Sequence, residues 1–382
     1  MPIPPAITSI YQHRGPFATV YFDATHADER GSAEVELRWR GLRQSLLDAG
    51  ADPRSVTAIA AKGGAHRDAA GRRGQVLVAA ADGTLCFDEV LPQPPARELA
   101  RWAPLPHLVP YLAQRAPDIA YVLVVADRKG ADIYAASSEI AAQQRRPEHS
   151  VVQGEVSFPL HKTATNDWSE AHFQRRVENS WARNAGDVAA ESARQVARVA
   201  AELVVIAGDE RARALISDDL RRLLPPGVQL DNVAEGGRAP GAAQEPLDEA
   251  VRAAVLRQAS KQRRQLLESL QEQLGRANRA AAGIEPVLQA LQRAQAQTVV
   301  LSDDPSSTLT AWIGPEPTQL ARERSQLIDL GVRELVEDRL DAAILRAAAE
   351  SGGDLVITPN AHDYLPNGVA ALLRYSDATT VH

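Results

Sequence analysis

The sequence predicts an α/β protein of three α/β domains, and three observations carry that expectation. At 382 residues the chain is too long for one ordinary hydrophobic core. Short β-rich apolar runs alternate with longer segments that repeat apolar residues at helical spacing, the pattern of mixed sheets flanked by helices. Stretches rich in proline or glycine, Leu91–Pro110 and Gly236–Pro246, interrupt the alternation. The expected domains are an N-terminal one over 1–117 with a basic loop, a central one over 118–240 and a C-terminal one over 247–382.

The elements follow in order. Pro16–Phe22 reads as a strand and Glu34–Ala49 as a helix, broken by Ala51-Asp52-Pro53. Val56–Ala60 reads as a further strand. Gln75–Ala80 and Thr84–Val90 form a hairpin around Asp82-Gly83. Leu91–Pro110 cannot hold one long helix, because proline removes donors and fixes φ, so it is either a strap or a short helix between prolines. Tyr121–Ala126, Ala131–Ala135, Val156–Leu160 and Leu203–Ala207 are strand runs, and Glu210–Leu224 is a helix. Residues 247–282 are strongly helical, polar and rich in arginine and glutamine, which reads as a solvated face with a narrow apolar stripe. The remainder alternates through Thr298–Ser302, Leu309–Ile313, a helix Glu334–Ser351 closed by Gly352-Gly353, Leu355–Thr358 and Val369–Tyr375.

Composition sets bounds on function. With 45% hydrophobic and 24% charged residues, the chain is ordinary globular material. No apolar run approaches the roughly 18 residues of a spanning helix. The stretch Met1–Gly15 lacks a basic start and a signal-peptide core, so the expected location is the cytoplasm. A single cysteine, Cys86, excludes an internal disulfide and fits a reducing compartment. The net charge of −7 argues on average against an RNA partner, but contact depends on local patches. Only four basic residues are lysine, and abundant arginine with abundant alanine marks a GC-rich genome, so arginine alone says little.

Two stretches carry chemistry. The first is Lys62–Gln75, KGGAHRDAAGRRGQ, whose glycines remove bulk while Lys62, His66, Arg67, Arg72 and Arg73 offer donors for phosphate oxygens. No G-x-x-x-x-G-K-[ST] occurs, so nucleotide binding is not indicated. The plain alternative is a solvated hairpin tip. The second is His161–Arg183, HKTATNDWSEAHFQRRVENSWAR, which follows a short strand and leads into a long helix. Its tip, Thr163–Asp167, is small and polar, and Ser169-Glu170 mark a helix start. Lys162, Asn166, Asp167, Trp168, Ser169, His172, Arg175 and Arg176 combine cationic groups, polar groups and flat rings. Such a set suits a phosphate backbone with unstacked bases, as in irregular RNA. The alternative is a solvated loop leading into a helix whose Trp and Phe face the core.

The second stretch resembles the central domain of archaeal and eukaryotic peptide-chain release factors and of Pelota. There a Gly-Gly-Gln loop precedes a helix that begins Ser-x-x-x-Phe-x-Arg, and the Gln promotes peptidyl-tRNA hydrolysis. This chain keeps Ser169, Phe173 and Arg175 at the matching offsets but has Asn166, Asp167 and Trp168 in place of the tripeptide. It is most similar to the bacterial archaeo-eukaryotic release factor (Pelota-like) superfamily, which includes the ribosome hibernation factor Balon and actinobacterial relatives. The resemblance is clearest over residues 120–380. It implies an RNase H-like central domain and, from GVRELVEDRLDAAILRAAAESGGDLVITP, a last domain that is an αβα sandwich akin to kink-turn-binding ribosomal proteins. It also implies a ribosomal partner, rRNA at the A site, and a translational GTPase such as EF-Tu on the last domain. The family's stop-codon-reading motifs are not recognisable.

No enzymatic reading is favoured. Asp127 and Asp209 end apolar strands, but a two-metal site lacks further acids, and an Asp there is usually a turn residue. Neither C-x-x-C nor H-x-x-x-H spacing occurs, nor a G-x-S-x-G elbow. No catalytic residue, metal or cofactor is therefore expected. The leading expectation is a non-catalytic factor that occupies the A site in ribosome hibernation. The alternatives are Pelota-like rescue of stalled ribosomes or peptide release, and a stress-related protein- or RNA-binding module away from the ribosome.

Overall fold

The computed structural model describes residues 2–25, 29–63, 72–115, 117–127, 129–137, 148–153, 167–238, 244–304, 306–359, 365–377 and 380, without the side chains of 29–34, 148, 153 and 167–181. The chain divides into two compact units, one of Met1–Ala116 with Leu266–His382 and one of Pro117–Gln265.

The first unit opens with α1 (Pro5–Ile10), β1 (Phe17–Asp23), α2 (Glu29–Asp48) and α3 (Pro53–Ala60). The strands β2 (Gly74–Ala80), β3 (Leu85–Leu91) and β4 (Leu99–Ala103) follow, then α4 (Val109–Gln114). The antiparallel sheet runs β3-β2-β1-β4. Two expectations need correction here. Val56–Ala60 is helical, because Asp52 caps the Arg54 amide at 2.8 Å, Pro53 sits at the first helical position, and Ser55, Val56 and Ile59 turn one face inward. The stretch Leu91–Pro110 contains a strand, since Ala96–Ala103 is free of proline and Leu99–Ala103 pairs with β1.

The second unit holds β5 (Tyr121–Asp127), β6 (Gly130–Ala136), β7 (Glu148–Gln153), α5 (Asp167–Val199), β8 (Leu203–Gly208), α6 (Glu210–Leu223) and β9 (Gln229–Asn232). Its sheet order is β7-β6-β5-β8-β9. The first three strands are antiparallel, and β8 and β9 run parallel to β5, the RNase H-like arrangement. Alternation along the strands divides the core. Val122, Val124 and Ile206 face α5 and α6, while Leu123, Val125 and Val205 face Leu247, Val251 and Ala254 at the start of α7 (Gln244–Gly275).

Leu266 onwards returns to the first unit. After the last turns of α7 come β10 (Ala280–Ala282), α8 (Ile284–Gln292), β11 (Ala296–Ser302), β12 (Thr310–Ile313), β13 (Leu320–Ala321) and α9 (Arg324–Asp329). Then follow β14 (Val336–Arg339), α10 (Leu340–Glu350), β15 (Asp354–Thr358) and β16 (Val369–Leu373). The sheet β10-β16-β11-β15 packs Val299, Leu301 and Leu355 towards α8 and α10, and Val300 and Val356 towards Leu270 of α7. That is an αβα sandwich. Two helix expectations shift: the helix predicted to run to 282 ends at Gly275 with Ala277 at φ 45°, and Val336–Arg339 is a strand paired with β12 rather than the first turn of a helix. One apolar cluster joins both ends of the chain, with Ile7, Ile10, Phe17 and Tyr21 packed among Val287, Leu291, Ile344 and Leu373.

Candidate functional site

The basic loop is set on a closed base. Lys62 donates its amide to the Ile59 carbonyl at 3.1 Å as α3 ends, and β2 begins twelve residues later. Gln75, 1% exposed, donates from Nε2 to the Lys62 carbonyl at 3.2 Å and to the Asp88 carboxylate at 2.6 Å, so the start of the loop after α3 is tied to its end at β2. The Arg73 amide donates to the Thr25 hydroxyl at 3.2 Å, and its carbonyl accepts from Ala24 at 3.0 Å. Lys62 and Arg72 are exposed and Arg73 half-buried. His66 and Arg67 lie outside the described residues. The loop connects a helix to a strand and is not a hairpin tip.

Of the second stretch, Lys162 and Asn166 lie outside the described residues, as does the strand expected at Val156–Leu160. Asp167, Trp168, Ser169, His172, Arg175 and Arg176 belong to the first turns of α5, and their side chains are not among those described. The helix has 33 residues, roughly 50 Å at the usual rise. Its second half is held by Ala185, Val188, Ala189 and Val196, buried against the sheet and α6, and by Ser192, which donates to the Val188 carbonyl at 2.8 Å.

The two strand-end carboxylates are tied up. Asp209 caps α6, accepting from the Arg211 and Ala212 amides, both at 3.1 Å. Asp127 accepts from the Lys129 amide at 2.7 Å and from Arg238 at 3.0 Å. Arg238 also donates to Asp132 at 3.0 Å. Burial opposes its charge, but the two carboxylates outweigh that and hold its guanidinium above the ordinary range. His149 stacks on Tyr134 with ring centroids 4.6 Å apart, and its Nε2 lies 3.7 Å from Asp132. This cluster pins the 238 segment to the turn end of β5 and β6, and no local signal in the sequence points to it. No group of three or more His, Cys, Asp or Glu side chains is placed to hold a metal among the described residues. No described helix is long and apolar enough to cross a membrane.

Residues 120–276, covering the RNase H-like sheet and α7, match the model of bacterial archaeo-eukaryotic release factor family 2, so this part of the chain is similar to that family. A full-length relative is an uncharacterized protein of Mycobacterium tuberculosis, 27% identical over 366 residues that cover 95% of this chain and 94% of the relative. Among solved structures, Archaeoglobus fulgidus Pelota is 15% identical with a TM-score of 0.35, covering 80% of each chain. Saccharomyces cerevisiae Dom34, a translation termination-like factor that interacts with Hbs1, is 9% identical with a TM-score of 0.37, covering 81% of each chain. A ribosome-bound archaeal Pelota with ABCE1 is 16% identical with a TM-score of 0.39, covering 96% of this chain and 92% of that one.

Proposed function

We propose that this protein is a non-catalytic ribosome-binding factor that occupies a vacant A site and protects idle ribosomes. The observation that carries the reading is the family match over 120–276 joined to Asn166-Asp167-Trp168 where a Gly-Gly-Gln would stand. Ester hydrolysis at the peptidyl-transferase centre requires a small backbone and a glutamine that admits water beside the tRNA end. Asp167 and Trp168 offer a carboxylate and bulk instead, and a carboxylate is repelled by the surrounding phosphates.

In this reading the loop bearing Lys62, His66, Arg67, Arg72 and Arg73 faces the decoding region, and the 162–176 segment points to the peptidyl-transferase centre. The C-terminal part faces the factor-binding region, where a translational GTPase such as EF-Tu holds it. Residues 266–382 contain nine basic and sixteen acidic side chains, a net charge of −7, which favours a protein over RNA as the partner of that part. The test is co-sedimentation of the pure protein with vacant 70S ribosomes across a salt series. Binding at low salt that falls steeply with added salt supports the reading, and no association even at low salt overturns it. Recovery on stalled ribosomes of growing cells, rather than on vacant ones in stationary phase, favours rescue over storage.

A further inference from the structure

The helix α7 carries a charge pattern unlike the rest of the chain. Between Glu249 and Glu268 it has five cations, Arg252, Arg257, Lys261, Arg263 and Arg264, and no acid, in a protein of net charge −7. The inward face is accounted for: Leu247, Val251, Ala254 and Gln258 are buried, at helical spacing, on the sheet of the second unit. Arg252, Leu256, Arg257, Ser260 and Arg264 are exposed and Arg263 is half-buried. Arg257 is paired with Asp231 at 2.7 Å, and Lys261 donates to Gln229 at 2.5 Å. Arg252, Arg263 and Arg264 have no hydrogen-bond or ion-pair partner among the described residues.

We infer that this outer stripe of α7 is a sequence-independent contact for the phosphate backbone of duplex RNA. Arg252 and Arg263 stand about 17 Å apart along the axis, too far to converge on one phosphate. One strand of a duplex presents several phosphates over such a length, at about one per 3.4 Å. Guanidinium groups with no carboxylate between them match that line of charge. An anionic membrane is a poorer fit. An interfacial helix needs a broad apolar face to insert, whereas the apolar face of α7 is buried in the protein and Leu256 is the one large apolar side chain of the stripe. The choice of RNA rests on the ribosome reading above; the stripe itself does not.

The experiment measures the affinity of the full-length protein for a generic blunt duplex RNA by fluorescence anisotropy over a salt series. R252Q/R263Q/R264Q is expected to weaken binding at least about tenfold at low salt and to reduce the slope of log K against log salt by about three. The control R221Q/R222Q alters arginines already paired with Asp218 and Asp219, and should leave both quantities unchanged. Thermal melts by circular dichroism check the fold, and the single variants R252Q and R264Q, each lowering the slope by about one, serve if the triple variant unfolds. Unchanged RNA affinity in the triple variant, equal loss in the control, or binding to phosphatidylserine vesicles in preference to RNA overturns the assignment. Ribosome pelleting is scored separately. Loss of duplex RNA binding in the triple variant without any ribosome association by the wild type sinks the A-site reading alone, and the converse sinks the stripe alone.

Discussion

Asp338 accepts a hydrogen bond from Arg101, 237 residues earlier in the chain, through a carboxylate whose side chain is wholly buried. The same carboxylate accepts from the Leu105 amide at 2.7 Å. The strand β14 is thereby fastened to β4 and to the segment after it, beside the apolar cluster that the two ends of the chain share. Removing the carboxylate leaves the half-buried Arg101 guanidinium without its counter-charge and the Leu105 amide without an acceptor. Asp338→Ala should therefore cost about 3–5 kcal/mol, read as a lower urea midpoint. A cost within about 0.5 kcal/mol, that of a surface change, would remove the fastening role.

The neighbouring Asp341 predicts a pH dependence. Burial pushes its carboxyl up, but His107 at 3.4 Å and Arg339 at 2.6 Å outweigh that and hold it well below the ordinary 3.8. A carboxyl depressed in the folded state contributes stability that is present above its unfolded pKa and lost as pH falls below it. Asp341→Asn should thus be markedly less stable than wild type at pH 7, with the gap narrowing below about pH 4. Urea midpoints at pH 7 and pH 3 test this, and an equal gap at both would contradict it.

Gly208 ends β8 at φ 103°, and a Cβ there would lie 2.0 Å from the Ala126 carbonyl oxygen of β5. Its carbonyl also accepts from Arg213 at 3.1 Å. Gly208→Ala combines a backbone strain of about 1–3 kcal/mol with that clash, so thermal melts should show a destabilised protein. A wild-type melting temperature would mean that the ends of β5 and β8 part freely to admit the methyl group.

Much of this fold is written locally. The runs YVLVVA and LVVIA became β5 and β8, and Gly352 at φ 66° closes α10 as its place after Ser351 suggests. The failures have physical causes. Val56, Thr57 and Ile59 look like a strand by composition, yet Asp52-Pro53, which ends one helix, also caps and opens the next. The sequence Val336–Arg339 continues a helical pattern and is made a strand by β12 and by Arg101, both remote in sequence. At the site, the basic loop could be read from its glycines and cations, but not the Gln75 side chain that closes its base. Nor could Arg238 be matched with Asp127 and Asp132 more than 100 residues away.

The exposed cations at the ends of the basic loop yield a binding prediction. Lys62→Glu with Arg72→Glu should weaken association with vacant ribosomes and lower the salt slope by about one for each phosphate that is no longer neutralised. Gln75 is left intact, so the fold should hold. Unchanged binding at low salt would take the loop out of the interface.

The proposed function is occupancy of the A site without cleavage of the peptidyl ester. It is tested most directly by a cryo-EM map of 70S ribosomes that carry P-site peptidyl-tRNA and have been incubated with the pure protein. Density for this chain is expected in the A site, with the 162–176 segment directed to the peptidyl-transferase centre and the nascent peptide still attached. An empty A site, or a bound protein beside a deacylated tRNA, would contradict it.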